Sequence, residues 1–158
     1  MKAILLTYAP VTKDEEELIR NTDIFKIALN NHAEEMKPDI RICSDYILND
    51  LLTHFPQNVI SVREKLRYYS KRVIYPEFEF KGSTIVSGVD WLIENGYKDI
   101  LIVGDNKVNT PAFQNIVSKN LFTLLFTPDV HIFQYTNGNF LLPVMSVEQF
   151  IKGDADGV

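Results

Sequence analysis

The chain has 158 residues, 46% hydrophobic and 23% charged, with 16 basic against 21 acidic side chains and a formal net charge of −5. It is long enough for one domain with its own core, and it carries no domain-wide basic excess to displace phosphate counterions, which argues against a nucleic-acid partner. The single cysteine, Cys43, excludes an internal disulfide framework and a cysteine-rich zinc site. No apolar run approaches the roughly 18–20 residues that span a bilayer, so the expectation is a cytoplasmic protein.

Ala3-Ile4-Leu5-Leu6-Thr7 reads as a buried first strand. Thr12 and Glu15 have capping-box spacing, and acids follow from Asp14 to Glu17, which predicts a short helix over 13–20. Segment 24–29 either continues that helix or forms a strand; its β-branched and aromatic content favours the strand. Segments 40–44, 58–62 and 72–75 are three further predicted strands, the first of them just after Pro38-Asp39.

The clearest unit follows. Ser83 or Thr84 opens a helix whose apolar face is Ile85, Val86, Val89, Leu92 and Ile93, and Gly96 supplies its left-handed end. Asp99-Ile100-Leu101-Ile102-Val103-Gly104 is then a buried strand. A helix passing through a glycine turn into an apolar strand is the building block of a parallel sheet. Phe113, Ile116, Val117, Leu121 and Leu124 predict a helix over 111–125, followed by a strand over 130–135. A turn at 136–139 predicts a paired return strand over 140–142, and a last helical turn spans 146–150. Residues 153–158 read as a flexible tail, leaving 1–152 as a single domain. The sum is a three-layer Rossmann-like α/β fold, with a mostly parallel sheet and helices on both faces.

No dinucleotide glycine fingerprint, phosphate-binding P-loop, nucleophile elbow or zinc-protease motif is present. His32, His54 and His131 share no ligand spacing. In open parallel sheets, ligands bind beyond the carboxyl ends of the strands. That rule selects Tyr8 after the first strand, Asn30 and Asn31 after the second, Asp45 after the third, and Asp105 with Asn106 after Gly104. It also selects Ser83, Thr84, Ser87 and Gly88 at the start of the central helix, where Lys81-Gly82-Ser83-Thr84 offers N–H groups and hydroxyls suited to a phosphate. The same residue types make ordinary caps and turns, a reading that stays open for Asn30, Asn31, Asp45 and Ser83. Arg63, Lys65, Arg67, Lys71 and Arg72 flank Tyr68-Tyr69, and this stretch is either a lid over an anionic ligand or a solvated helix face.

Lys37-Pro38-Asp39-Ile40-Arg41-Ile42-Cys43-Ser44-Asp45-Tyr46 is similar to the "PD-strand-D" element of the MptE-like family. That family comprises Rossmann-like domains of 6-hydroxymethylpterin diphosphokinases and bacterial motility accessory factors. The stretch from Ser83 through Ser87-Gly88 and Asn95-Gly96-Tyr97-Lys98-Asp99-Ile100 to Val103-Gly104-Asp105 resembles the family's second element. It also resembles the core of bacterial sialyltransferases that use CMP-sialic acid. Asn137-Gly138 and Leu142-Pro143-Val144 are similar to the family's closing glycine turn and "IPG" ending.

Three departures stand beside these matches, the first being that Gly104-Asp105-Asn106 places the acid directly after glycine and so shortens the family's "strand-G-x-D". Pro10 matches the relatives' Gly-Pro-Ser loop, but its glycines and serine are absent from Leu6-Thr7-Tyr8-Ala9-Pro10-Val11. No histidine occurs between His54 and His131 to supply the sialyltransferase base.

The resemblance implies a nucleotide- or nucleotide-sugar-binding protein, a small glycosyltransferase- or diphosphokinase-like transferase. Ser83, Thr84, Ser87 and Gly88 would then hold phosphate or base. Asp45 and Asp105 would contact ribose, or a magnesium ion bridging the phosphates, and Asn30 or Asn31 would orient the sugar. The alternative is a binding or assembly protein that keeps the fold without the chemistry. Nothing in the composition excludes an oligomer.

Overall fold

The computed structural model describes residues 1–8, 11–43, 47–62, 71–76, 82–104, 110–135 and 138–153. In chain order the elements are β1 (Lys2–Leu6), α1 (Lys13–Asn21), β2 (Phe25–Leu29), a 3-10 turn (Glu34–Met36), β3 (Ile40–Cys43), α2 (Leu48–His54) and β4 (Asn58–Ser61). They continue with β5 (Val73–Ile74), α3 (Thr84–Glu94), β6 (Asp99–Val103), α4 (Pro111–Leu124), β7 (His131–Gln134) and α5 (Val147–Lys152). The seven strands form one sheet in the order β5-β4-β3-β2-β1-β6-β7, and every neighbouring pair is parallel.

Strand alternation assigns the layers. Leu5, Ile27, Ile42, Ile60 and Ile102 point to one face, where Val86, Val89 and Leu92 of α3 and Val117 and Leu121 of α4 cover them. Ile4, Leu6, Ala28, Leu101 and Val103 point to the other, under Ile19 of α1, Met36 of the 3-10 turn, and Val147 and Phe150 of α5. On that same face Cys43 and Val59 pack against Leu48 and Leu51 of α2. The result is the three-layer Rossmann-like fold that the alternating pattern predicts.

Basic side chains from the sheet close three helices of the second face. Lys26 Nζ, reaching out of β2, donates to the carbonyls of Ile19 (2.9 Å) and Thr22 (3.2 Å) at the end of α1. Lys2 Nζ, from β1, donates to Phe150 (2.7 Å) and Gly153 (2.6 Å) at the end of α5. Arg72, at the entrance to β5, donates to the carbonyls of Leu52 (2.8 Å), Phe55 and Gln57 (2.7 Å) beyond α2. Each cation meets the carbonyls that a helix end leaves without partners, where the dipole is negative. Burial holds the Lys26 ammonium below its usual pKa, and the carboxylates of Asp39 and Asp23 oppose that shift. Arg72 therefore has a structural task at the end of α2. Residues 63–70, the body of the expected lid, lie outside the described residues.

One local expectation changes, and one helix appears that was not predicted. Segment 140–142 forms no return strand. Phe140 and Leu142 are buried while Leu141 is 77% exposed, so the in–out–in alternation imitates a strand. The segment is held instead by Gln134: its Oε1 accepts from Phe140 N–H (2.7 Å) and its Nε2 donates to the Leu142 carbonyl (2.6 Å). The chain then runs past β7 in the parallel sense through a single bridge between Gln134 and Val144. Helix α2 gave no sequence signal, because Ile47 at its start makes no side-chain cap. Gly153, assigned to the tail, donates its N–H to Gln149 (2.7 Å) and accepts from Lys2; residues 154–158 lie outside the described residues. Among the described residues, no helix is long and apolar enough to cross a membrane.

Candidate functional site

The chain adds β2 to β5 on one side of β1, then returns through α3 to place β6 on the other side. The carboxyl ends of β1 and β6 therefore flank the topological switch point, where doubly wound sheets bind ligands. Thr7 joins these two ends. Its N–H donates to the Val103 carbonyl at 2.9 Å and its hydroxyl donates to the same oxygen at 3.2 Å. A Cβ placed on Gly104 would lie 1.2 Å from Thr7 Oγ1. Position 104 thus lacks a side chain because Thr7 occupies the space.

Tyr8 follows, 59% exposed, and turns towards β2, where its ring meets the His32 ring at 5.4 Å between centroids and 59° between planes. The loop carrying His32 starts at Asn30, whose N–H extends the ladder to the Ile42 carbonyl (2.9 Å) and whose φ of 50° is left-handed. Asn30 Oδ1 is buried without a hydrogen-bond partner, and Asn31 is exposed. Ala33 and Lys37 are left-handed as well, so the loop holds three non-glycine residues in a costly region.

Arg41 compensates. Its fully buried side chain rises from β3 and donates from Nη1 to the carbonyls of Asn30 (3.0 Å) and His32 (2.6 Å). Nη2 pairs with the Glu34 carboxylate, Nε donates to Gln57 Oε1 (3.1 Å), and the guanidinium lies 4.1 Å from the centre of the Phe55 ring. Burial pushes the His32 imidazole below its ordinary pKa, and the Arg41 charge adds to that, with Glu35 opposing. The ring beside Tyr8 is therefore a neutral one at neutral pH.

Helix α3 leaves from the same edge of the sheet, since it follows β5 and runs back to the start of β6. Buried Ser83 caps it by accepting from Val86 N–H at 3.4 Å. Gly82 before it has a φ of 81° and nothing within 4 Å of the place where a Cβ would stand. Thr84 is half-buried. One turn on, Ser87 is fully buried, and its hydroxyl has no hydrogen-bond partner. Gly88 faces the sheet: a Cβ there would lie 3.1 Å from Leu5 Cδ1, so the glycine lets α3 sit close on β1.

At the start of α1, Thr12 and Glu15 form the expected capping box. Tyr135, just after β7, donates its hydroxyl to Glu15 Oε1 at 2.8 Å. Burial and then this carboxylate push the Tyr135 hydroxyl up to about 12. Burial alone would raise the Glu15 carboxyl, but hydrogen bonds from Thr12 N–H, the Tyr135 hydroxyl and the Thr12 side chain bring it below its usual value.

Of the residues selected from sequence, the structure brings Tyr8, Asn30, Asn31, Ser83 and Thr84 to the carboxyl edge. It sets Ser87 inside α3 and Gly88 against the sheet. Asp45, Asp105 and Asn106 lie outside the described residues. Among the described residues, no group of three or more His, Cys, Asp or Glu could hold a metal ion. Among the described residues, clefts lie elsewhere, including one of about 540 Å3 between α1 and α5, beside Glu17 and Glu148, and one of about 650 Å3 at the opposite edge of the sheet, beside Phe25 and Tyr97.

Two side chains at this edge escaped the sequence reading. His32 failed the ligand-spacing rule, yet it directly follows Asn30-Asn31. Arg41 did carry a signal, since an arginine within Ile40-Arg41-Ile42 has to find partners when the strand is buried. No protein-family model matches the chain, and no curated protein matches it.

Proposed function

We propose that the protein binds a nucleoside phosphate or nucleotide sugar across the carboxyl ends of β1 and β2, with the phosphate at the start of α3. The observation that carries this reading is the switch point beside β1, which puts Tyr8, the Asn30–His32 loop and the Ser83-Thr84 helix start at one edge of the sheet. The start of an 11-residue helix presents N–H groups and the positive end of its dipole, which favour an anion. The buried, unpartnered Asn30 Oδ1 adds support, because folded proteins leave few such atoms. Asp45 and Asp105 keep the roles expected from sequence, towards ribose or a magnesium-bridged phosphate.

A transferase of the glycosyltransferase or diphosphokinase kind is consistent with the resemblance of the 83–105 stretch. Its chemistry would be positioning and charge stabilisation, the strategy available without a nucleophile–base pair. One observation favours the binding or assembly alternative: Thr7 fills the space over Gly104, between the carboxyl ends of β1 and β6.

Calorimetry and thermal unfolding with CMP, UDP, GDP and ATP, with and without magnesium, test the reading. At a hundredfold excess over Kd, a bound nucleotide stabilises by about 2.7 kcal/mol. No shift with any nucleotide at millimolar concentration overturns it. Binding without turnover of a nucleotide sugar selects the non-catalytic alternative.

A further inference from the structure

We infer that Tyr8, backed by His32, is the platform on which the aromatic base of the nucleotide stacks. The inference rests on the nucleotide reading above and assigns the part of the ligand that reading leaves unplaced. Tyr8 is a large ring, more than half exposed, in the first turn of chain beyond the interior strand β1. His32 backs one side of it, and the 59° inclination makes the two rings a corner, not a closed stack, so the rest of the Tyr8 ring stays open.

The backing is rigid. The His32 N–H donates to the Leu29 carbonyl (3.1 Å), and the His32 carbonyl is held at 2.6 Å by a guanidinium with no exposed surface. A tyrosine has few rotors to freeze, and a ring fixed in advance lowers the ordering cost of a ligand that stacks on it. The π-face of tyrosine accepts any base, so this platform supplies affinity and orientation, while the choice of base falls to polar groups at its edge. The neutral His32 ring keeps the corner uncharged. It therefore suits a flat aromatic ring, with the ligand's charge left to the start of α3.

The test compares ligands with and without a base on the full chain. Wild-type protein, Tyr8→Ala and Tyr8→Phe are titrated by calorimetry with CMP, UMP, AMP and GMP, and with ribose 5-phosphate. Stacking on an aromatic side chain predicts that Tyr8→Ala weakens nucleotide binding by about tenfold or more and that Tyr8→Phe retains it. Ribose 5-phosphate should bind more weakly than the nucleotides and be indifferent to both substitutions. Equal binding of nucleotides by wild type and Tyr8→Ala, or ribose 5-phosphate binding as tightly as the nucleotides, overturns the platform but leaves the nucleotide reading standing. Binding of neither class of ligand overturns both. Because Tyr8 is exposed, its variants should keep the wild-type urea midpoint, which verifies the fold in each titration.

Discussion

A side chain at position 104 would have nowhere to go. The crowding comes from Thr7 Oγ1 and Cβ, which are fixed in place by bonding to the Val103 carbonyl, so the neighbour cannot swing aside cheaply. Gly104→Ala should therefore lower unfolding free energy by about 1–3 kcal/mol in urea titration, the usual range for overpacking. A midpoint equal to wild type would show that the close approach of β1 and β6 is not needed. The sequence places Gly104 at the end of a strand, but could not show the neighbour that requires a glycine there, because that neighbour is 97 positions away in the chain.

His32 gives a second prediction at this scale. Its folded pKa lies below the ordinary value of 6.5, so the unfolded chain binds the proton more tightly. The sign follows: stability is full above the unfolded pKa and declines as pH falls through it. Urea midpoints measured between about pH 7.5 and pH 5.5 should fall less for His32→Asn than for wild type. An identical pH dependence would remove burial and Arg41 as the cause.

Among elements, the segment after β7 shows what side chains can replace. Gln134 supplies an acceptor to Phe140 N–H and a donor to the Leu142 carbonyl, both buried, so one amide stands in for a neighbouring strand. Gln134→Leu keeps the bulk and orphans both backbone groups; at about 1–3 kcal/mol per unsatisfied group, the loss should be at least 2 kcal/mol. Hydrogen exchange at the Phe140 amide should accelerate by more than that of the β6 amides, and equal acceleration would argue against a local clamp. The alternation of residues 140–142 was visible in the sequence but read as a strand, since period-2 burial is produced equally by a clamped loop. Helix α1 was legible for the opposite reason: its signal, the Thr12–Glu15 box, is local and complete within four residues. Helix α2 has no such box, and its stability comes from packing Leu48 and Leu51 on Val59 and Cys43 together with the Arg72 cap, none of which is local.

For the whole molecule, closure depends on the last helix. Although α5 is only 6 residues long, its Phe150 lies against Phe133, and the end of the helix is held by Lys2 of the first strand. Phe150→Ala should cost about 3–5 kcal/mol, as large-to-small changes at buried aromatic positions do. Trp91 reports from the opposite layer, where Phe25 stacks on it at 6.2 Å. If the domain unfolds as one unit, Trp91 fluorescence and far-UV circular dichroism will shift together in this variant. Separate midpoints for the two signals would show that the two helical layers are independent.

The sequence by itself determined the class of fold, the order of most elements and, through the strand-end rule, the edge of the sheet at which a ligand is expected. Each of these follows from local periodicity, capping and the rule that ligands gather at strand ends, and none requires knowing which segments touch. Only the tertiary structure decided that β6 inserts beside β1, that Thr7 fills the space over Gly104, that Arg41 pins the loop of His32 against Tyr8, and that residues 138–145 wrap β7 without a hairpin. Those outcomes depend on contacts between residues far apart in the chain, where burial, steric fit and hydrogen-bond satisfaction are settled by the whole core at once.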